Sequence, residues 1–121
     1  MDKISKKKFI KFQKDHIENA DPGITRHFLG FGPDLMAVKV WFEEGAIGVE
    51  HKHHHTQVSY VESGEFKVTI EGETQHLVAG DSFYVDPHNL HGAVCIKKGV
   101  LIDMFTPCRE DFLDGEGYES K

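Results

Sequence analysis

Four histidines stand within five residues of "GVEHKHHHTQVSYVESG": His51, His53, His54 and His55, out of nine in the chain. Neutral imidazole is the side chain that most often ligates a transition metal. The run is internal and leads into strand-like sequence, so it belongs to the fold and is not an affinity tag. In an extended strand residues i and i+2 share a face. His51, His53 and His55 would then face one way, with Lys52 and His54 opposite. A strand rises about 3.4 Å per residue, which puts His51 and His55 ~13 Å apart. Nitrogens on a zinc-like ion lie at about 2.0–2.1 Å. The outer two therefore cannot share an ion while the strand stays extended. His51 with His53 can, and so can His53 with His55.

A second stretch, "GVLIDMFTPCREDFL", sets Asp103 among Val100, Leu101, Ile102, Met104 and Phe105. An ionised carboxylate in such a run is costly unless it is paired or faces a polar cavity. Alternation places Asp103 on one face with Leu101 and Phe105. If that face lines the interior, Asp103 is an acid/base candidate in a pocket. An exposed edge position paired to a lysine is the competing reading. Arg109 follows Pro107, and its planar fork suits a carboxylate. A surface ion pair with Glu110 or Asp111 is the alternative there.

These side chains need a scaffold, and the sequence reads as strands. "DLMAVKVWFEEG" is one strand ending in a turn. "QVSYVESGEFKVTIEGETQHLVAGDSFYVDP" gives three or four, broken at Glu62–Ser63–Gly64, Glu71–Gly72 and Ala79–Gly80–Asp81. "HGAVCIKKGVLIDMF" gives two more, with Lys97–Lys98–Gly99 as the turn. Short strands at this spacing predict an all-β sandwich or barrel. Helix is confined to the first 20 residues or to the tail.

The chain of 121 residues is the size of one domain, with 39% hydrophobic and 28% charged residues. The net charge of −6 argues against nucleic acid as a partner. No apolar run reaches the ~20 residues needed to span a bilayer. The Lys-rich N-terminus has no apolar core of a secretory signal, so the expected location is the cytoplasm. Two cysteines, Cys95 and Cys108, make no disulfide framework. No glycine-rich phosphate or dinucleotide fingerprint is present.

Gly45, His51, His53, Gln57 and Gly64 fall at the spacing G-x5-H-x-H-x3-E-x6-G, with Gln57 in the Glu position. Gly80 is followed eleven residues later by His91, within "GDSFYVDPHNLH". The pair resembles the two motifs of the cupin family, although the second motif's Pro, Gly and Asn positions hold Asp86, His88 and Cys95. "HKHHHTQVSYVESGEF" and "DMFTPCREDFL" further resemble the small pectin-degradation cupins of the KdgF type, over about Gly23 to Leu113.

The resemblance implies a single-domain jelly-roll barrel (double-stranded β-helix) over residues 23–113. A partly ordered extension, 1–22, would precede it and a flexible tail, 114–121, would follow. It implies one divalent transition metal ion on His51, His53, Gln57 and His91, with Zn, Ni, Fe or Mn as candidates. Copper also suits an imidazole-rich set. It implies catalytic roles for Asp103 and Arg109, and substrate contacts from Phe105 and Arg109. The implied activity is ring opening and ketonisation of monomeric 4,5-unsaturated uronates to linear 5-keto-4-deoxyuronate. An Fe or Cu cupin dioxygenase and a non-catalytic sugar-acid-binding cupin are the alternatives. A homodimer paired near the N-terminus is expected, since small cupins resemble one another in covering edge strands this way. His54 and His55 read as exposed, or behind the ligands at most. His76 reads as remote, and His88 as part of a turn near the barrel mouth.

Overall fold

The computed structural model of the protein describes residues 7–114; most of the tail expected to be flexible lies outside them. Eight strands run in the order β1 (Glu18–Asp21), β2 (Ile24–Gly32), β3 (Leu35–Phe42), β4 (Ile47–His51), β5 (Thr56–Ile70), β6 (Glu73–Val78), β7 (Ser82–Val85) and β8 (His91–Thr106). Among the described residues, helix is limited to 3-10 turns at Lys14–His16 and Glu110–Asp114. The extension supplies β1, which pairs with β2.

Every pairing is antiparallel, and the sheet order is β1-β2-β3-β8-β5-β6, with β4 on β8 and β7 on β5. The two long strands each serve two layers. The first half of β5 pairs with β7 and the second with β6. The first half of β8 pairs with β4 and the second with β3. The result is a jelly-roll barrel whose layers share β5 and β8.

Two expected turns are bends instead. Glu62–Ser63–Gly64 lies inside β5 and Lys97–Lys98–Gly99 inside β8, and the ladder between them shifts register there. The bends pack on each other. A Cβ on Gly64, at φ 83, would fall 2.5 Å from the Gly99 Cα and 2.6 Å from the Lys97 carbonyl. Glycine is required here for close backbone approach, not for chain reversal. The turns at Glu71–Gly72 and Ala79–Gly80–Asp81 do reverse the chain, between β5, β6 and β7.

Alternation sets the interior. β3 buries Met36, Val38, Val40 and Phe42 and turns the residues between them outward. Register then extends rows across the layer. Phe28, Val38, Asp103, Ser59 and Phe83 form one, and Met36, Phe105, Gln57 and Val85 the next. Fully burying a Val, Phe or Met is worth roughly 1.5–3 kcal/mol, so these rows hold the barrel closed. Polar residues enter them toward one end only.

Candidate active site

That end gathers the histidines. His51 and His91 are directly opposite each other on β4 and β8. The strand stops at His51, which corrects the reading of one extended strand through His55. His53 lies in the following loop, where its carbonyl accepts the His88 N–H at 2.6 Å. His88 sits at φ 68, a left-handed conformation that favours glycine, and its place is the second motif's Gly position.

Each ring is oriented by a backbone carbonyl. Nδ1 of His51 meets the Val49 oxygen at 2.9 Å, Nδ1 of His91 the Asn89 oxygen at 2.8 Å, and Nδ1 of His53 the His55 oxygen at 3.2 Å. A carbonyl only accepts, so Nδ1 carries the proton in all three and Nε2 is left with its lone pair. One ligand atom from each ring lies within 4.8 Å of the others, the arrangement a single ion needs.

Gln57 lies beside these rings. The Ser59 hydroxyl donates to Asp103 Oδ1 at 2.6 Å, so its oxygen accepts from the Gln57 amide nitrogen at 2.9 Å. That fixes the Gln57 amide oxygen 3.1 Å from His53 Nε2. Two acceptors then face each other, and the buried His91 Nε2 has no hydrogen-bond partner among the described residues. A cation satisfies all of these atoms, so the residues fit a metal ion. Burial first, then the Arg109 and His91 charges, lower the His53 pKa to about 4, and burial lowers that of His91. Both rings are therefore free of protons that would compete with a metal near neutral pH.

His54 is exposed, while His55 is buried behind His53, whose Nδ1 donates to the His55 carbonyl; of the two readings given for His55, the exposed one fails. Once the strand ends at His51, alternation no longer governs the loop. The His55 ring turns inward, with centroids 3.9 Å from His54 and 6.4 Å from Phe105. His76 is remote on β6, in an exposed pair with Glu65 at 3.0 Å.

Beside the histidines lies a cleft of ≈ 480 Å³ walled by Arg26, His51, Asp103, Arg109, Asp111 and Phe112, among others. Asp103 is half-buried on the interior face, not at an exposed edge. Burial pushes its pKa up to about 6 against the opposing Ser59 hydrogen bond and the Arg109 and His51 charges. Arg109 reaches the cleft because the chain folds back after β8. The Cys108 N–H donates to the Pro33 carbonyl at 3.1 Å, and Leu113 is buried in the core. Arg109 faces the cleft, and it makes the ion pair with Asp111 that the alternative reading named, through Nε at 3.1 Å and Nη2 at 2.8 Å. Burial alone would raise the Asp111 pKa, but the Arg109 bonds and charge outweigh it and hold the carboxyl low.

The fold thus brings His51, His53, Gln57, His91, Asp103, Phe105 and Arg109 to one end. Ser59, Asp111, Phe112 and Arg26 belong to the same region and escape a reading by motif. Arg26 does carry a signal: it is a charge alternating with Ile24 and Phe28, as Asp103 alternates with Leu101 and Phe105.

Residues 38–105 match the cupin domain pattern, and the chain belongs to the cupin family. Within that family it is a KdgF-like cupin. It is 46% identical over 98 residues to the pectin degradation protein KdgF of Dickeya dadantii, covering 79% of this chain and 89% of that protein. The crystal structure of an RmlC-like cupin from Shewanella frigidimarina superposes with a TM-score of 0.85 at 50% identity, over 90% of this chain and 99% of that one. The structure of KdgF from a Halomonas species superposes with a TM-score of 0.78 at 43% identity, over 80% and 90%. No helix among the described residues is long and apolar enough to cross a membrane.

Proposed function

We propose that the protein is a metal-dependent isomerase that promotes ring opening and ketonisation of monomeric 4,5-unsaturated uronates to linear 5-keto-4-deoxyuronate. The observation that carries this reading is the meeting of two chemistries at one barrel end. Three Nε2 lone pairs converge beside a half-buried carboxyl group and a guanidinium that share one cleft. Similarity to a protein named for pectin degradation supports the substrate class.

His51, His53 and His91 through Nε2, and Gln57 through its amide oxygen, would hold one divalent ion. When bound, the ion supplies Lewis acidity and an anchor for a sugar oxygen, undiminished by any carboxylate among its ligands. Arg109 offers its charge to the uronate carboxylate. Its Nε and Nη2 are engaged by Asp111, so Nη1 is the edge that meets the ligand. Phe105 forms an apolar wall.

The reaction is an isomerisation with no electron acceptor. The bond from C1 to the ring oxygen breaks as the C1 hydroxyl loses its proton, leaving an aldehyde at C1 and an enolate oxygen at C5. C4 then gains a proton and C5 becomes a ketone. Asp103 takes the C1 hydroxyl proton and returns a proton at C4. A carboxyl titrating at about 6 is matched to both steps near neutral pH. Ser59 fixes the carboxyl plane by its hydrogen bond at 2.6 Å.

The test is the loss of alkene absorbance when purified, metal-loaded protein is added to monomeric unsaturated uronate. Acceleration over the spontaneous rate is expected. An unchanged rate from folded, metal-loaded protein overturns the reading, and uptake of oxygen would assign the site to oxygen-activating chemistry.

A further inference from the structure

We infer that Arg26 is a second substrate-binding residue, which with Arg109 forms an anion seat around Phe112 that selects carboxylate-bearing sugars over neutral ones. The inference rests on the reading of the cleft as a sugar-acid site.

Arg26 lies on the interior face of β2, between Ile24 and Phe28, and its register partners are Glu18 on β1 and Val40 on β3. A guanidinium on an otherwise apolar interior face is costly unless something answers its charge. The Glu18 carboxylate answers part of it, accepting from Arg26 Nε at 2.6 Å. The Arg26 side chain is 18% exposed, and that exposure opens on the cleft shared with His51, Asp103 and Arg109.

Geometry separates the roles of the two arginines. The Arg26 guanidinium carbon sits 3.9 Å from the centroid of the Phe112 ring, and that of Arg109 sits 4.2 Å from the same centroid. Two like charges against one ring repel, and the local acids offset this unequally. Asp111 engages Arg109 in a two-point pair through Nε and Nη2. Among the described residues, Arg26 is hydrogen-bonded through Nε alone. Its Nη1–Nη2 edge is therefore the intact fork in the cleft, and that edge matches the two oxygens of a carboxylate. The Phe112 ring on one face and Glu18 at Nε hold the guanidinium plane in place, so little freedom is lost on binding. Glu18 belongs to β1, which makes the strand from the N-terminal extension a working part of the site.

The experiment compares binding of galacturonate, a saturated uronate with no alkene to isomerise, with binding of galactose to the metal-loaded protein. Wild type should prefer galacturonate. Arg26→Gln should weaken galacturonate about 10- to 100-fold, the worth of a charged hydrogen-bonded pair, and leave galactose within about twofold. Arg26→Lys keeps the charge but not the fork, and should fall between. With unsaturated uronate the same variants should raise KM and leave kcat nearly unchanged. Unchanged galacturonate affinity in both variants overturns the inference, and so does a wild type indifferent to the carboxylate. If Arg26→Gln fails to fold, Arg26→Lys and Glu18→Gln carry the test, each expected to weaken galacturonate more than galactose. The two readings fail separately. Arg26-dependent galacturonate binding without turnover of the unsaturated sugar would sink the isomerase alone. Normal turnover with Arg26-indifferent binding would sink the anion seat alone.

Discussion

The interior of the barrel differs between its two ends, although the same two strands line both. Near the crossing of Gly64 and Gly99, β5 and β8 turn Val61, Phe66, Cys95 and Leu101 inward, none more than 3% exposed. Toward the other end the same inward positions hold Gln57, Ser59, Asp103 and His91. Nothing in the backbone pattern requires the change, since pairing is antiparallel throughout. Burying a polar group costs stability unless it finds a partner, so the mouth is expected to stabilise the fold less than the closed end does. Stability and chemistry are separated along one pair of strands, and variants at the two ends should fail in different ways.

The largest effect is expected at the closed end. Gly64→Ala puts a methyl group against Gly99 and the Lys97 carbonyl at a φ of 83, so both strain and collision oppose it. Neither backbone can retreat without opening the β5–β8 ladder. The variant should lose its cooperative thermal transition by circular dichroism, or be recovered only as aggregate. A melting curve like that of wild type would show that the crossing is not what holds the layers together.

At the mouth, His91→Ala should spare the fold and lose the ion. The substitution removes a buried nitrogen that has no hydrogen-bond partner among the described residues. Metal analysis should find about one divalent ion per wild-type chain and far less in the variant, while chelated forms of the two melt at similar temperatures. Unchanged metal content would break the assignment of ligands. Loss confined to a His55 variant would show that His53 and His55 are the pair used.

How far these ends can be read from sequence follows from what is local. Alternation in "LMAVKVWF" is local, and β3 buries the alternate residues it marks. A carboxylate within "VLIDMF" is a local conflict, and it flags a half-buried acid correctly. Gln57 and His91 emerge from motif spacing, because residues that meet at one place in a shared fold recur at fixed separations. The bends are different. Gly64 and Gly99 look like turn glycines because polar neighbours accompany turns and bulges alike. The fact that decides between them is that each glycine packs on the other, across 35 residues of chain, and no local pattern carries it. The inward turn of the His55 ring is hidden for a related reason, since alternation holds only as far as the strand, and the strand stops at His51. Arg26 has the same kind of signal as Asp103, but its polar neighbours Thr25 and His27 blur the contrast, whereas apolar Ile102 and Met104 sharpen it around Asp103.

Asp103→Asn sharpens the comparison within the mouth itself. The amide keeps the shape and can still accept the Ser59 hydrogen bond, while the ionisable proton is gone. Turnover of unsaturated uronate should fall by roughly 10²–10⁴ with metal content intact and little change in KM. Near-normal turnover would remove the proton relay from Asp103.

The smallest effect comes from the same substitution and has the opposite sign. Burial pushes the Asp103 pKa from 3.8 up to about 6, so the fold favours the neutral acid. That preference stabilises the protein fully below the unfolded pKa and is lost as pH rises through the folded one. The charges facing the carboxyl, Arg109 and His51, reduce the penalty without cancelling it. The experiment needs chelated protein, because a bound cation would favour the carboxylate. There, Asp103→Asn should be more stable than wild type at pH 8 by about 1–2 kcal/mol, somewhat less than a two-unit shift is worth. At pH 4, where the folded wild type is also neutral at this position, the two should melt nearly together. An equal gain at both pH values would trace the effect to packing. A loss at pH 8 would mean that Arg109 depends on the carboxylate more than burial opposes it. The predicted gain at pH 8, set against the predicted loss of turnover, is the cost in stability of keeping an acid where an apolar side chain would otherwise pack.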